Sequence, residues 1–186
     1  SSDKYETLYY DIIEKVKDRT QLPISVKIGI HHTNMLGLVN QIYYRGATGV
    51  VLFNRFYAPD IDIEKMKFTA AEVFSAPSDI RQSLRWVGMI SSQVEKIDIS
   101  ASTGVHDGTA VIKQILAGAK TVQVCSALYK NGVDHLTGIV EFVRNWMAER
   151  NYKKLDDIRG KMSYKRIPDP AVYERSQFMK YFSNYQ

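Results

Sequence analysis

The chain has 186 residues, a net charge of +5 and a pI of about 9.2. At 45% hydrophobic and 24% charged residues it has the composition of a globular protein, which excludes intrinsic disorder, and the length suits one domain with a real core. A single cysteine, Cys125, excludes an internal disulfide framework and a Cys-rich zinc site, and no apolar run approaches the roughly 18 residues of a membrane span.

Tyr5, Leu8, Tyr9, Ile12, Ile13 and Val16 recur at helical spacing, which predicts an amphipathic helix over 5–19. After Pro23, Ile24 to Ile30 read as a strand, and a second helix over 33–45 ends at Gly46-Ala47. Gly49 to Asn54 is an apolar run too short for a helix. The stretch from Arg55 to Pro77 is long for a βα loop; within it Asp60 and Asp62 alternate with Ile61 and Ile63 as a short extended ribbon. Residues 78–92 form a helix with Ser78 as N-cap, Ile97 to Ala101 a strand, and 107–117 a helix closed by Gly118. Thr121 to Cys125 is a fourth strand and 133–150 a long final helix. Gly46 to Val51 and Gly118 to Gln123 echo each other, a helix stopping at glycine and a strand starting soon after.

About four βα units in succession predict a parallel sheet covered by helices. In the first strand Ile24, Val26, Ile28 and Ile30 share one face, and Ser25, Lys27 and Gly29 the other. The fourth strand sets Val122 and Val124 against Thr121, Gln123 and Cys125. A doubly wound sheet would bury both faces, leaving Lys27 and Gln123 poorly served; the inner face of a (β/α) barrel accommodates them. Such a barrel has eight strands and about 250 residues, so this chain supplies about half of one. It is expected to be a fragment or to complete a barrel with another copy, and Arg55 to Pro77 is expected to act as a lid over the mouth.

Lys27, on the inner face near a strand's C-terminal end, stands where barrel enzymes place catalytic or cofactor-binding groups. Asn54, at the same rim, offers a carboxamide to a planar ligand or caps its turn. Ser102-Thr103-Gly104 and Cys125-Ser126 leave the third and fourth strands with small residues, so that backbone N–H groups can approach a phosphate, helped by helix N-termini. His106 and His135 are isolated, and His31-His32 lacks metal spacing. Basic residues interleave with acids, which argues against a nucleic-acid partner.

Pro23 to Lys27, Gly46 to Asn54, Thr103-Gly104-Val105, Ala117 to Leu128 and Leu155 to Lys161 together resemble, in order and spacing, the C-terminal half of class 1 dihydroorotate dehydrogenases. The resemblance implies an α/β fold, the C-terminal half of an FMN-binding (β/α)8 TIM barrel over 1–163, with a helical C-terminal extension over 164–186. It implies FMN as cofactor, with Lys27 at the isoalloxazine ring and Ser102, Thr103, Gly104, Cys125 and Ser126 at the phosphate. Asn54 would bind a pyrimidine substrate. The family's catalytic base falls before Ser1, so no residue here takes that role. The chain departs from the family pattern at Thr103-Gly104 and at Cys125-Ser126, which stand for a glycine pair and a Gly-Thr pair. It departs also at Arg55-Phe56 and at Phe74-Ser75-Ala76-Pro77, which stands for a flavin-lining Gly-Leu-Ser-Gly. The leading expectation is a cytoplasmic, homo-oligomeric dihydroorotate dehydrogenase-like FMN oxidoreductase, inactive as this partial chain without its N-terminal half or a second copy. A related flavin barrel acting on another pyrimidine or enone-like substrate, and a non-catalytic phosphate-ligand module, are the alternatives.

Overall fold

In the computed structural model, residues 2–56, 58–70, 72–94 and 96–174 are described. Four strands, β1 (Ser25–Ile28), β2 (Gly49–Leu52), β5 (Asp98–Ala101) and β6 (Thr121–Val122), form a sheet in the order β1-β2-β5-β6, every pair parallel. Between β2 and β5 lies a separate antiparallel hairpin, β3 (Pro59–Asp62) with β4 (Lys67–Ala70). Seven helices occur among the described residues: α1 (Ser2–Lys17), α2 (Met35–Tyr44), α3 (Ile80–Gln93), α4 (Gly108–Ala117), α5 (Ser126–Asn131), α6 (His135–Glu149) and α7 (Ala171–Glu174). Around the sheet α1 packs on α2, α2 on α3, α3 on α4 and α4 on α6. Sequential parallel strands with such helices are the architecture of part of a (β/α) barrel.

The register explains the two-faced strands. Lys27, Val51, Ser100 and Thr121 lie side by side in one row, and Ile28, Leu52, Ala101 and Val122 in the next. Aligned residues of parallel strands share a face, so the second row belongs to a uniformly apolar side. That side packs with Met35, Leu38, Val39 and Ile42 of α2 and Val87 and Ile90 of α3 into one buried core. The opposite side carries Ser25 and Lys27, both exposed.

Local chemistry sets the helix ends. The Asn34 side chain accepts from Gly37 N–H to cap α2, and Asp107 Oδ1 accepts from Ala110 N–H at 2.7 Å to cap α4. Gly46 and Gly118 close α2 and α4 at φ +102° and +120°, so the echo in the sequence marks two equivalent αβ turns.

The structure refines four of these readings. The fourth strand stops at Val122, because the chain leaves the sheet for α5, a six-residue helix too short to show a period. The ribbon is extended as expected, and over Pro59–Asp62 it pairs with β4, which the alternation did not reveal. Among the α1 residues whose side chains are described, only Ile13 is buried, while Tyr5, Leu8, Ile12 and Val16 face outward, so the apolar stripe is wider than the core beneath it. In the C-terminal extension the described part is helical only at α7, and it packs on α3: Tyr164 N–H donates to Gly88 O, and Arg85 Nε to Tyr173 O. Residues 175–186 of that extension lie outside the described residues.

Candidate functional site

The sheet ladder continues past the strand ends and carries two candidate residues to the rim. Asn54 N–H donates to Ile28 O and Ser102 N–H to Leu52 O, each at 2.7 Å, so the residues after β2 and β5 stay in step with their neighbours. A pocket of about 360 Å³ opens at this rim. Lys27, Asn54, Ser102, Thr103, Gly104, Cys125 and Ser126 all line it, which unites every site residue read from the sequence, drawn from four separate segments. Arg55, Val73, Ser75, Val105 and Gln123 complete the wall. Lys27 and Arg55 are its charged residues and no carboxylate lines it; Asp79, outside the lining, offsets part of the Arg55 charge, and the net field still favours an anionic ligand. Gln123 Nε2 donates to Ser100 Oγ at 3.2 Å on the inner face.

The two loops differ at their helix N-termini: the Asp107 carboxylate occupies the first turn of α4, whereas α5 begins at Ser126, on the pocket wall, with no side-chain cap. Thr103 and Gly104 have consecutive positive φ angles, +80° and +75°. A β-branched residue in that region is strained, and the Thr103 Oγ1 bond to Phe53 O, at 3.3 Å, helps to hold it. Thr103→Gly is accordingly expected to raise stability by about 1 kcal/mol, read as a higher urea midpoint with an unchanged m-value. A lower midpoint would show that the hydroxyl bond outweighs the strain.

Several contacts of the site were not read from the sequence. Arg55 Nη1 donates to Val73 O at 2.7 Å, and Nε stands 3.5 Å from Asp79 Oδ2, so the cation pins the returning limb of the excursion to the rim. Asp79 Oδ2 also accepts from Ala76 N–H. Ser75 N–H donates to Ser126 Oγ at 3.0 Å, and Ser75 Oγ lies 3.0 Å from His106 Nε2. His135 Nε2–H donates to His106 O at 2.9 Å, so two histidines that look isolated in sequence are joined. The sequence marked Arg55-Phe56 and Phe74-Ser75-Ala76-Pro77 as departures from the family pattern, but carried no sign of these bonds. The limb at Val73 to Ala76 meets the pocket, whereas β3 and β4 stand exposed, so the part of the excursion that covers the site is the return limb rather than the hairpin. A second pocket of about 390 Å³, toward α3, shares Asn54, Arg55 and Thr103 with the first.

A family model described as dihydroorotate dehydrogenase matches residues 2–147. The catalytic subunit of dihydroorotate dehydrogenase B (NAD(+)) from Saccharolobus solfataricus is 31% identical over 153 residues, 81% of this chain and 52% of that protein. The corresponding subunit from Alkaliphilus metalliredigens is 28% identical over 155 residues, 82% of this chain and 51% of that protein. A putative dihydroorotate dehydrogenase A (fumarate) from Streptococcus uberis is 40% identical over 68 residues, 37% of this chain and 22% of that protein. The chain thus spans about half the length of the two catalytic subunits.

Proposed function

Because the chain belongs to the dihydroorotate dehydrogenase family, we propose that its rim pocket is the phosphate and ring-edge portion of an FMN site in an oxidoreductase acting on dihydroorotate. One observation carries this: seven residues chosen from sequence line a single cavity whose charged residues are both cations. The fit is chemical. A volume of about 360 Å³ lies in the range of small-molecule cofactor sites, and the lining combines cations, a hydroxyl and close-packed glycine backbone with no acid to repel a phosphate. When bound, FMN would accept a hydride from the substrate. Ser102, Thr103, Gly104, Cys125 and Ser126 would hold its phosphate, and the Lys27 ammonium would stabilise negative charge at the ring edge. Asn54 would orient the substrate through its carboxamide, which both donates and accepts. Arg55, beside Asn54, favours a substrate that carries an anionic group; it also keeps open the second reading, a related flavin barrel with a different pyrimidine-like substrate.

Flavin fluorescence titration tests the proposal. FMN is expected to bind this chain about tenfold or more tightly than riboflavin, since the phosphate gains charge-assisted hydrogen bonds worth about 1.5–3 kcal/mol each. Lys27→Ala is expected to weaken both flavins alike, because the lysine addresses the ring they share. Equal affinities for the two flavins, or no binding of either, would refute the phosphate assignment.

A further inference from the structure

Resting on that reading of the pocket, we infer that His106 is a positioning residue which, through Ser75, turns the Ser126 hydroxyl toward the phosphate. A serine hydroxyl has one hydrogen to donate and two lone pairs to accept with. Ser75 N–H fills an acceptor position on Ser126 Oγ at 3.0 Å, which leaves the Ser126 hydrogen for a partner on the pocket side. That side presents Lys27 and Arg55 and no carboxylate, so an anion is the partner the wall selects.

Ser75 must itself be held. It sits on the return limb of an excursion whose hairpin is exposed, and its flanking residues Val73 and Phe74 are exposed as well. Ser75 alone is drawn in, at 5% exposure, and a buried hydroxyl requires a partner. His106 Nε2, at 3.0 Å, is that partner. The imidazole stands on a fixed base: its own carbonyl accepts from His135 Nε2–H, and the next residue, Asp107, caps α4. A continuous relay therefore runs from α6 through His106, Ser75 and Ser126 to the cavity wall. Arg55 and Asp79 hold the limb at Val73 O and Ala76 N–H, on either side of Ser75, so removing the imidazole leaves those two points docked while Ser75, with the N–H that it gives to Ser126, can shift between them.

The consequence is specific to a phosphate-bearing ligand. His106→Ala is expected to weaken FMN binding about three- to tenfold, the effect of losing one well-directed hydrogen bond to a charged group, and to leave riboflavin binding unchanged. Unchanged riboflavin binding also reports an intact fold. His106→Gln, whose amide can still bond Ser75 Oγ, is expected to restore most of the FMN preference. Ser126→Ala is expected to lower that preference at least as much as His106→Ala. The inference is overturned if His106→Ala keeps the FMN-to-riboflavin affinity ratio within about twofold of the unsubstituted chain, or if the Gln and Ala variants behave alike. A Ser126→Ala chain that retains the full ratio overturns the hydroxyl's part in the grip and the role of His106 with it; the rest of the FMN reading stands or falls on the comparison of the two flavins in the unsubstituted chain.

Discussion

Gly104→Ala is expected to lower the unfolding free energy by about 3 kcal/mol, from the left-handed backbone and from overpacking together. The backbone there has φ +75°, a region that an L side chain enters at a penalty. An added Cβ would lie 2.1 Å from Ile80 N and 2.7 Å from the Asp79 carbonyl carbon. Both are backbone atoms at the start of α3, so no rotamer change makes room, and the helix or the loop must move. The damage reaches the site because Asp79 accepts from Ala76 N–H and faces Arg55, so a displaced α3 start loosens the return limb over the pocket. Urea unfolding reads the first effect and the FMN-to-riboflavin affinity ratio the second. A variant as stable as its parent would mean that the junction yields easily and that Gly104 is not needed for the close approach. The neighbouring Thr103→Gly substitution moves stability the other way, which separates strain at the loop from the mere presence of a substitution.

The sheet and its polarity were legible because a parallel strand covered on one side only must segregate its side chains. Ser25 and Lys27 against Val26 and Ile28 report that directly. The rim residues followed from where those strands end. Of the hairpin only the β3 ribbon was legible, because β4 is exposed throughout and has no buried face to segregate apolar from polar side chains; α5, at six residues, is shorter than the window over which a helical period emerges. The relay of Ser75, His106 and Ser126 joins residues 31 and 51 positions apart through single hydrogen bonds, and composition and spacing carry no trace of such contacts. Arg55 lay between these extremes. Its charge beside Asn54 was visible, but its grip on Val73 O and Asp79 depends on how the excursion returns.

Purified alone, the chain is expected to self-associate and to lose flavin during gel filtration. In the described sheet β1 and β6 are the end strands, each with one edge unpaired in that sheet. On α1, Tyr5, Leu8, Ile12 and Val16 are 72%, 56%, 51% and 42% exposed, one stripe along the helix. On α6, at the other end of the helix layer, Leu136 and Val140 lie one turn apart at 43% and 46% exposure. Monomers rarely leave such stripes and strand edges open to water. Burying half-exposed side chains of this size contributes about 1 kcal/mol each, so six on each of two copies offer about 12 kcal/mol against the entropic cost of bringing the copies together. The open inner face, with Lys27 exposed, supplies only part of a cofactor's surroundings, which is why a phosphate grip is not expected to retain flavin through a column. Light scattering at increasing concentration should show a mass rising above the 21.3 kDa of one chain. Paired Leu8→Glu and Ile12→Glu substitutions, both at exposed positions, should lower that mass while the far-ultraviolet circular dichroism stays the same. A monomer that persists at every concentration would show that the described surfaces are stable in water without a covering partner, and a stoichiometric flavin spectrum after gel filtration would show that this half of the site holds the cofactor by itself.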